Sequence, residues 1–365
     1  MGKNRIISSK DIERNKINQE LLCWFCQNKR DLPWRHCYRP YEVWISEIML
    51  QQTQMDRVIP YFLRWMERFP SLHDIAEAQE EEVLKFWEGL GYYSRVRNIR
   101  KAAQMLLSMG YETIPPNENI LRELPGIGPY TAGAILSIAY NMPYTAIDGN
   151  VRRVLSRIAD IAIPVNAGEG KVTVDILASQ LLPHDTPRDF NQALMELGAL
   201  ICVPQFPRCI DCPISPFCQA HKTGTERERP VVLYSDKPKK VEAVAALILC
   251  EDMLLLRQRP LDGPWSRLWE LPWGIKDSKE DYHAIFRKEL PEKWMDTQKF
   301  HEIGSIQHSI MNTRIHLQGY TTSLPYAVPD PVKKPFHWIS FGNISALTYQ
   351  AGTRKLLDLF FSKKR

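Results

Sequence analysis

Four cysteines fall within seventeen residues, Cys202, Cys209, Cys212 and Cys218, in the spacing C-x6-C-x2-C-x5-C. The N-terminal stretch MGKNRIISSKDIERNK has charge but no apolar segment behind it, so neither a secretory signal nor an anchor is expected. In the cytosolic setting this implies, thiols stay reduced, and a compact tetrad reads as a metal site rather than as disulfides. Four thiolates can hold zinc or an iron–sulfur cluster. Zinc sites usually arrive as two C-x2-C knuckles set well apart, whereas one short loop supplies all four sulfurs here, which favours a 4Fe-4S cluster. The other cysteines, Cys23, Cys26, Cys37 and Cys250, have apolar neighbours and are expected to act as small hydrophobes. Cys23 and Cys26 form a C-x-x-C on a helical stretch with no βαβ pattern, which speaks against redox chemistry.

At 365 residues the chain predicts two domains. Apolar periodicity is helical over residues 41–57, 80–87, 95–107, 130–140, 151–158 and 191–202, with Pro and Gly punctuation between. Residues 1–224 therefore read as an all-α domain carrying the cysteine loop. Residues 225–240, polar, charged and twice interrupted by proline, read as a linker. In residues 241–365 the pattern becomes α/β: two apolar runs flank Glu251 and Asp252 like a hairpin, 302–308 and 314–320 read as strands, and 281–289 and 353–361 as helices. Before residue 231 there are 27 Lys and Arg against 27 Asp and Glu, so the net +5 lies wholly in the remaining 20 against 15. No apolar run approaches the roughly 20 residues a bilayer requires.

Three features of the helical part carry chemistry. In LPGIGPYTA, Gly126 and Gly128 allow a tight turn with amides exposed, and Pro129 suits the first turn of the next helix. Such a turn plus a helix N-terminus can bind a DNA phosphate, although alone it is also an ordinary αα-hairpin. Glu47, in PYEVWISEIMLQQTQ, has Val43, Trp44, Leu50 and Gln51 one helical turn away, so its carboxyl is expected among apolar groups. Desolvation keeps such a carboxyl protonated near neutral pH, as a general acid needs. Asp148, in TAIDGNVRRVLSR, precedes a helix as an N-cap would.

Taken together, SEIMLQQTQ, WEGLGYYSRVRN, LPGIGPYTAGAI, AIDGNVRRVLSR and the cysteine loop resemble the helix-hairpin-helix DNA glycosylases with an iron–sulfur cluster, and more narrowly the adenine DNA glycosylases. The likeness covers about residues 15–225, with the motifs in the family's order. It implies excision of adenine mispaired with 8-oxoguanine or guanine in double-stranded DNA by a monomeric, cytoplasmic, nucleoid-associated enzyme. Glu47 would protonate the departing base and Asp148 would stabilise the sugar cation, with Tyr130 and Asn150 in support. Tyr130 stands where related lyases carry a Schiff-base lysine, so strand cleavage is not expected. By the same resemblance Gln52 and Thr53, with Leu90 and Tyr92, enter the DNA beside the orphan base, while Arg30, Trp34, Arg35 and Gln192 line the base pocket. Arg95 and Arg97 are expected to help hold DNA.

The second part is similar to Nudix (MutT-like) domains, which in this family help read the orphan base. Its Nudix box survives only in outline, as Gly274, Glu280, Lys288, Glu289 and Glu292, with Lys293 in place of the last acid, so nucleotide hydrolysis is not expected. The family's reader element, Phe-Ser-His, aligns with Ile310, Met311 and Asn312, leaving His308, Ser309 and Asn312 as candidate readers and implying altered orphan-base discrimination. Two further readings stay open: a helix-hairpin-helix glycosylase for thymine or uracil, and an iron–sulfur DNA-binding protein without catalysis.

Overall fold

The computed structural model describes residues 14–233, 239–261, 263, 265–277, 281–290, 299–310, 312–324 and 336–363. The described residues form two compact units. One contains the chain up to Ala78 and from Asn98 through the cysteine loop; the other contains Gln79–Arg97 and the strands after residue 238. By their contacts residues 79–97 cluster with the later part, whereas a division at 225–240 keeps them with the helical part. Of the linker, residues 234–238 lie outside the described residues.

The helices in chain order are α1 (Arg14–Asn28), α2 (Pro40–Leu50), α3 (Met55–Arg68), α4 (Leu72–Glu77), α5 (Glu80–Trp87), α6 (Ser94–Ser108), α7 (Glu118–Glu123), α8 (Pro129–Ala134), α9 (Gly149–Ile158), α10 (Gly168–Leu181), α11 (Pro187–Leu200) and α12 (Gln219–Thr223). Local chemistry sets several starts: Ser71 and Asp74 form a capping box on α4, Asn117 caps α7, and proline opens α2, α8 and α11. A principal core of the helical unit joins α1, α9, α10 and α11. Ile17, Leu21 and Phe25 of α1 recur at helical spacing and meet Val154, Leu177, Phe190 and Leu197. Each such fully buried side chain contributes about 2 kcal/mol. Cys23 and Cys26 fall off that stripe and are exposed, as is Cys37; only Cys250, on the first strand of the other unit, is buried as a small hydrophobe.

The stretch 41–57, read as one helix, is two. Helix α2 stops at Leu50, Gln52 takes φ +55°, and α3 begins at Met55. The helix over 130–140 likewise changes character, since α8 ends at Ala134 and continues as a π-helical turn, Ile135–Ala139.

In the second unit seven strands, β1 (Lys239–Cys250), β2 (Met253–Gln258), β3 (Trp269–Glu270), β4 (Trp273–Ile275), β5 (His301–Ile310), β6 (Thr313–Ser323) and β7 (Phe336–Ser340), form one mixed sheet. The order is β3-β2-β1-β6-β5, with β4 on β1 and β7 on β2. β1 and β6 run parallel, while β5 and β6 form an antiparallel hairpin closing at Ile310 and Thr313. Helix α13 (Tyr282–Glu289), capped by Asp281, and helices α14 (Phe341–Ile344) and α15 (Ala351–Lys363) complete the unit. Alternation along β1 separates two cores: Ala243, Ala245, Leu247 and Leu249 pack with Leu356 and Phe360 of α15, and Val244, Ala246, Ile248 and Cys250 with Ile285 and Phe286 of α13.

In the Nudix-box region, Glu289 pairs with Arg257 at 2.7 Å, and Arg257 also grips the buried Glu270 at 2.8 Å. An arginine thus takes up the acid that a divalent ion would need. Glu280, Glu292 and Lys293 lie outside the described residues.

His308 of β5 is buried, and neither ring nitrogen has a hydrogen-bond partner among the described residues. Burial, then the charge of Lys355, lowers its pKa below the ordinary 6.5. Because the unfolded chain then binds the proton first, stability is full above pH 6.5 and falls as pH drops. We expect the denaturant midpoint of this unit to fall between pH 7.5 and 5.5, with a slope bounded by about 1.4 kcal/mol per pH unit. His308→Met should flatten that slope; an unchanged slope refutes the assignment.

Candidate active site

Helix α2 is buried nearly all round, and Glu47 lies within it, 5% exposed. The expectation from its apolar neighbours is met. The turn between α7 and α8 brings Tyr130 to it, and the Tyr130 hydroxyl donates a short hydrogen bond to Glu47 Oε2. That turn needs glycine at Gly126, where φ is +82° and an added Cβ would sit 2.9 Å from Asn98 Cβ. Among the described residues nothing lies within 4 Å of a Cβ built at Gly128, so the turn is open on that side.

Asp148 is the N-cap of α9. Its Oδ1 accepts from the Val151 amide at 2.7 Å and its Oδ2 from Asn150 Nδ2 at 3.0 Å. Glu47, Tyr130, Asp148 and Asn150 line a single cleft of about 900 Å³, together with Gln52, Thr53, Gly126 and Gly128.

The two carboxyls differ in proton affinity. Burial pushes Glu47 up to about 7, with the Asp148 charge adding to it against the Tyr130 hydrogen bond. Burial raises Asp148 too, but the Val151 and Asn150 donors and Arg153 oppose it. The first proton therefore belongs to Glu47 and the charge to Asp148, an arrangement suited to acid-assisted cleavage of a glycosidic bond.

Support for Asp148 comes from α9 and α11. Arg153 Nη2 donates to Asn150 Oδ1 at 2.9 Å and to the Gly198 carbonyl at 2.7 Å, and its Nε donates to the Cys202 carbonyl at 2.7 Å. Gly198 permits the approach, since a Cβ there would stand 2.6 Å from Asn150 Cβ. Arg157, 1% exposed, donates to the carbonyls of Val203, Pro204 and Arg229 and to Cys202 Sγ at 3.2 Å.

The base-pocket candidates also converge. Arg30 Nε reaches Glu196 Oε1 at 2.8 Å, Arg35 Nη2 reaches Glu196 Oε2 at 3.0 Å, and Arg35 Nε donates to Gln192 Oε1 at 3.0 Å. Trp34 packs edge-on against Phe62. Glu196 is the residue that sequence reasoning missed. Its burial alone would raise its pKa, but bonds from Arg30 and Arg35 hold it at about 2. It follows Gln192 by four residues on α11, so helical spacing was the available signal.

Cys202, Cys209, Cys212 and Cys218 line one cavity with Arg157, His221 and Glu226. Among the described residues the ligand atoms of Cys209, His221 and Glu226 also lie within 4.8 Å of one another. The four thiols lining one cavity are a donor set that zinc or an iron–sulfur cluster can take.

Other candidates belong to the second unit. Leu90 is 7% exposed and Tyr92 43%, so Tyr92 is the one presented to solvent. Arg95 is buried and spends its guanidinium on the carbonyls of Leu90 and Gly91, and Arg97 bonds Glu80 and the Ser266 carbonyl; neither is the phosphate ligand expected. His308, buried against α15, is likewise no surface reader, whereas Ser309 and Asn312 are exposed and Met311 lies outside the described residues.

Comparison with known proteins agrees with this geometry. Residues 45–163 match the model of the HhH-GPD superfamily base excision DNA repair proteins, and residues 243–359 that of the NUDIX domain. The fold and cleft are those of a helix-hairpin-helix base-excision repair enzyme carrying a Nudix-like domain. A solved thermostable thymine-DNA glycosylase shares 27% identity and a TM-score of 0.54, covering 59% of this chain and 98% of that one. The adenine DNA glycosylase of Mus musculus is 32% identical over 94% of this chain and 78% of its own length, and that of Schizosaccharomyces pombe 32% identical over 90% and 86%. A third, from Buchnera aphidicola subsp. Schizaphis graminum, is 38% identical over 94% and 98%. The chain belongs to the adenine DNA glycosylase family. No helix among the described residues is long and apolar enough to cross a membrane.

The Glu47 environment makes a stability prediction. Its folded pKa of about 7 exceeds the ordinary 4.5, so its contribution is complete below pH 4.5 and is lost as pH rises to 7. Glu47→Gln removes this loss and should be more stable than the parent above pH 7, by on the order of 2 kcal/mol. Equal melting temperatures at pH 8 would show that Glu47 is not desolvated.

Proposed function

We propose that this protein hydrolyses the N-glycosidic bond of adenine mispaired with 8-oxoguanine or guanine in double-stranded DNA, without strand cleavage. The observation that carries the reading is the pair in one cleft: a dry Glu47, hydrogen-bonded by Tyr130, and an ionised Asp148 held by an amide and Asn150. The mispaired adenine leaves the stack for the cleft lined by Arg30, Trp34, Arg35 and Gln192, at a cost of a few kcal/mol. The Glu47 proton passes to a ring nitrogen as the C1′–N bond breaks, so its electron pair leaves with a neutral base. Asp148 stabilises the sugar cation until water adds at C1′, and the water's proton restores Glu47. With Tyr130 rather than an amine at the hairpin, no Schiff base forms and an abasic site remains.

The compact C-x6-C-x2-C-x5-C loop, whose four thiols line one cavity, supports a 4Fe-4S cluster held by Cys202, Cys209, Cys212 and Cys218. Bound there, the cluster supplies iron–thiolate bonds that cross-link the loop after α11. Gln52, Thr53 and the open turn at Gly126 and Gly128 would meet the DNA, with Tyr92 as the exposed wedge. The exposed Ser309 and Asn312 at the β5–β6 hairpin are what remains to face the orphan base, since His308 is turned inward.

Glu47→Gln should lower single-turnover excision by at least about 10²-fold while leaving DNA affinity unchanged, and the parent rate should decline above pH 7 as Glu47 ionises. Activity that survives the substitution would remove Glu47 from the acid role. With the Phe-Ser-His element replaced, excision opposite guanine should come within about tenfold of that opposite 8-oxoguanine, because a lost polar contact is worth about one power of ten. Single-turnover rates on duplexes differing only in the orphan base decide this, and a strong preference for 8-oxoguanine rejects it.

A further inference from the structure

Residues 89–92 form a loop of unusual backbone. Gly89 has φ +103°, Gly91 +75° and Tyr92 +48°, a region that side-chain-bearing residues rarely enter. Such a loop keeps its shape only if neighbours over-determine it. From one side, Trp87 Nε1 donates to the Gly91 carbonyl at 3.0 Å, and the buried Arg95 guanidinium donates to the Leu90 and Gly91 carbonyls while lying over the rings of Trp87 and Tyr92.

The other side is held by residues 347–354, some 260 positions along the chain. Glu88 Oε1 accepts from Arg354 Nη2 at 2.9 Å, from Arg354 Nε at 3.1 Å and from the Tyr349 amide at 3.3 Å. Lys85 Nζ donates to Glu88 Oε2 and to the Leu347 carbonyl, both at 2.8 Å, and Tyr93 donates to the Tyr349 carbonyl at 3.2 Å. The Glu88 side chain is only 15% exposed, so water competes little with these bonds and they exceed an ordinary surface pair.

The same segment touches the reader strand. Gln350 Oε1 accepts from the Gly352 amide at 2.7 Å, and His308 of β5 lies so close that a Cβ on Gly352 would stand 2.7 Å from His308 Nε2. Among the described residues the His308 ring makes no hydrogen bond; it packs against Gly352 in the first turn of α15. The hairpin strand and the start of α15 are therefore in close contact at His308 and Gly352.

We propose that Glu88 and Arg354 are positioning residues for excision, a clamp that fixes the 89–92 loop to the start of α15 and, through Gln350 and His308, to the strand bearing the β5–β6 hairpin. This rests on the reading above that Tyr92 enters DNA and that the hairpin faces the orphan base. The clamp touches neither the adenine nor the reacting atoms. It acts on the unstacking step, by presenting Tyr92 in one conformation from a base that also carries the reader.

The test is single-turnover excision by the full-length protein from two kinds of duplex. In one, adenine faces guanine or 8-oxoguanine; in the other it faces an abasic spacer, so that little pairing remains to be broken. Glu88→Ala and Arg354→Ala should each slow excision from both mispairs by about tenfold, the scale of a lost charged hydrogen bond, and leave the spacer duplex unchanged. The double variant should be no slower than either single one. Glu88→Gln, which can still accept from Arg354 and the Tyr349 amide, should recover most of the rate. Tyr92→Ala serves as the reference and should show the same selective loss. Equal slowing on both duplexes, or no slowing in the Glu88 and Arg354 variants while Tyr92→Ala is selective, overturns the clamp. If Tyr92→Ala is itself not selective, the DNA-entry reading fails and the clamp with it.

Discussion

Everything in the helical unit is arranged around a carboxyl group kept out of water. A carboxylate prefers solvation strongly, so a Glu at 5% exposure persists only if it keeps its proton or finds a cation. Among the described residues Glu47 forms no ion pair, and the Arg35 charge acts on it less than burial does; its hydrogen bond comes from the Tyr130 hydroxyl, amid apolar neighbours on α2. On α11 Glu196 is still more buried, and there Arg30 and Arg35 keep it charged. Two similar side chains in one cleft are thereby set to opposite protonation states, and the difference lies in whether guanidinium groups reach them.

Arginine does most of the binding-together elsewhere as well. Arg153 and Arg157 gather carbonyl groups from α11 and the cysteine loop, and Arg257 stands between Glu270 and Glu289 in the Nudix-like unit. A planar fork of donors suits this work better than an ammonium. Removing Arg257 would leave the 1%-exposed Glu270 carboxylate short of a counter-charge, which costs several kcal/mol for a buried pair.

Much of the catalytic cleft could be read from the chain because its chemistry is local. Apolar neighbours at one-turn spacing foretold the burial of Glu47, the position before a helix foretold the Asp148 cap, and the cysteine spacing marked the loop. Features that depend on distant contacts were not legible. Nothing around Gln52 announces that α2 must stop there, because its positive φ is carried without glycine or proline. Residues 79–97 carry no mark of belonging with strands that begin more than a hundred residues later. Arg95 and Arg97 look like free cations in one dimension, yet their partners are a loop carbonyl pair, Glu80 and Ser266. His308 was misread for a related reason: strand alternation gives two faces, but only the position of α15 says which is covered.

Helix α9 imposes a condition of phase. Asp148 caps it, Asn150 sits in its first turn, and Arg153 and Arg157 follow three and seven positions after Asn150, all on one stripe. Each residue turns an α-helix by about 100°. Inserting or deleting one residue after Asn150 would leave the composition and helical character of α9 intact, yet swing both guanidinium groups away from the Cys202 carbonyl while the Asp148 cap stayed in place. Substitutions can be tolerated one at a time along this helix, but its length between the cap and the cysteine loop is quantised.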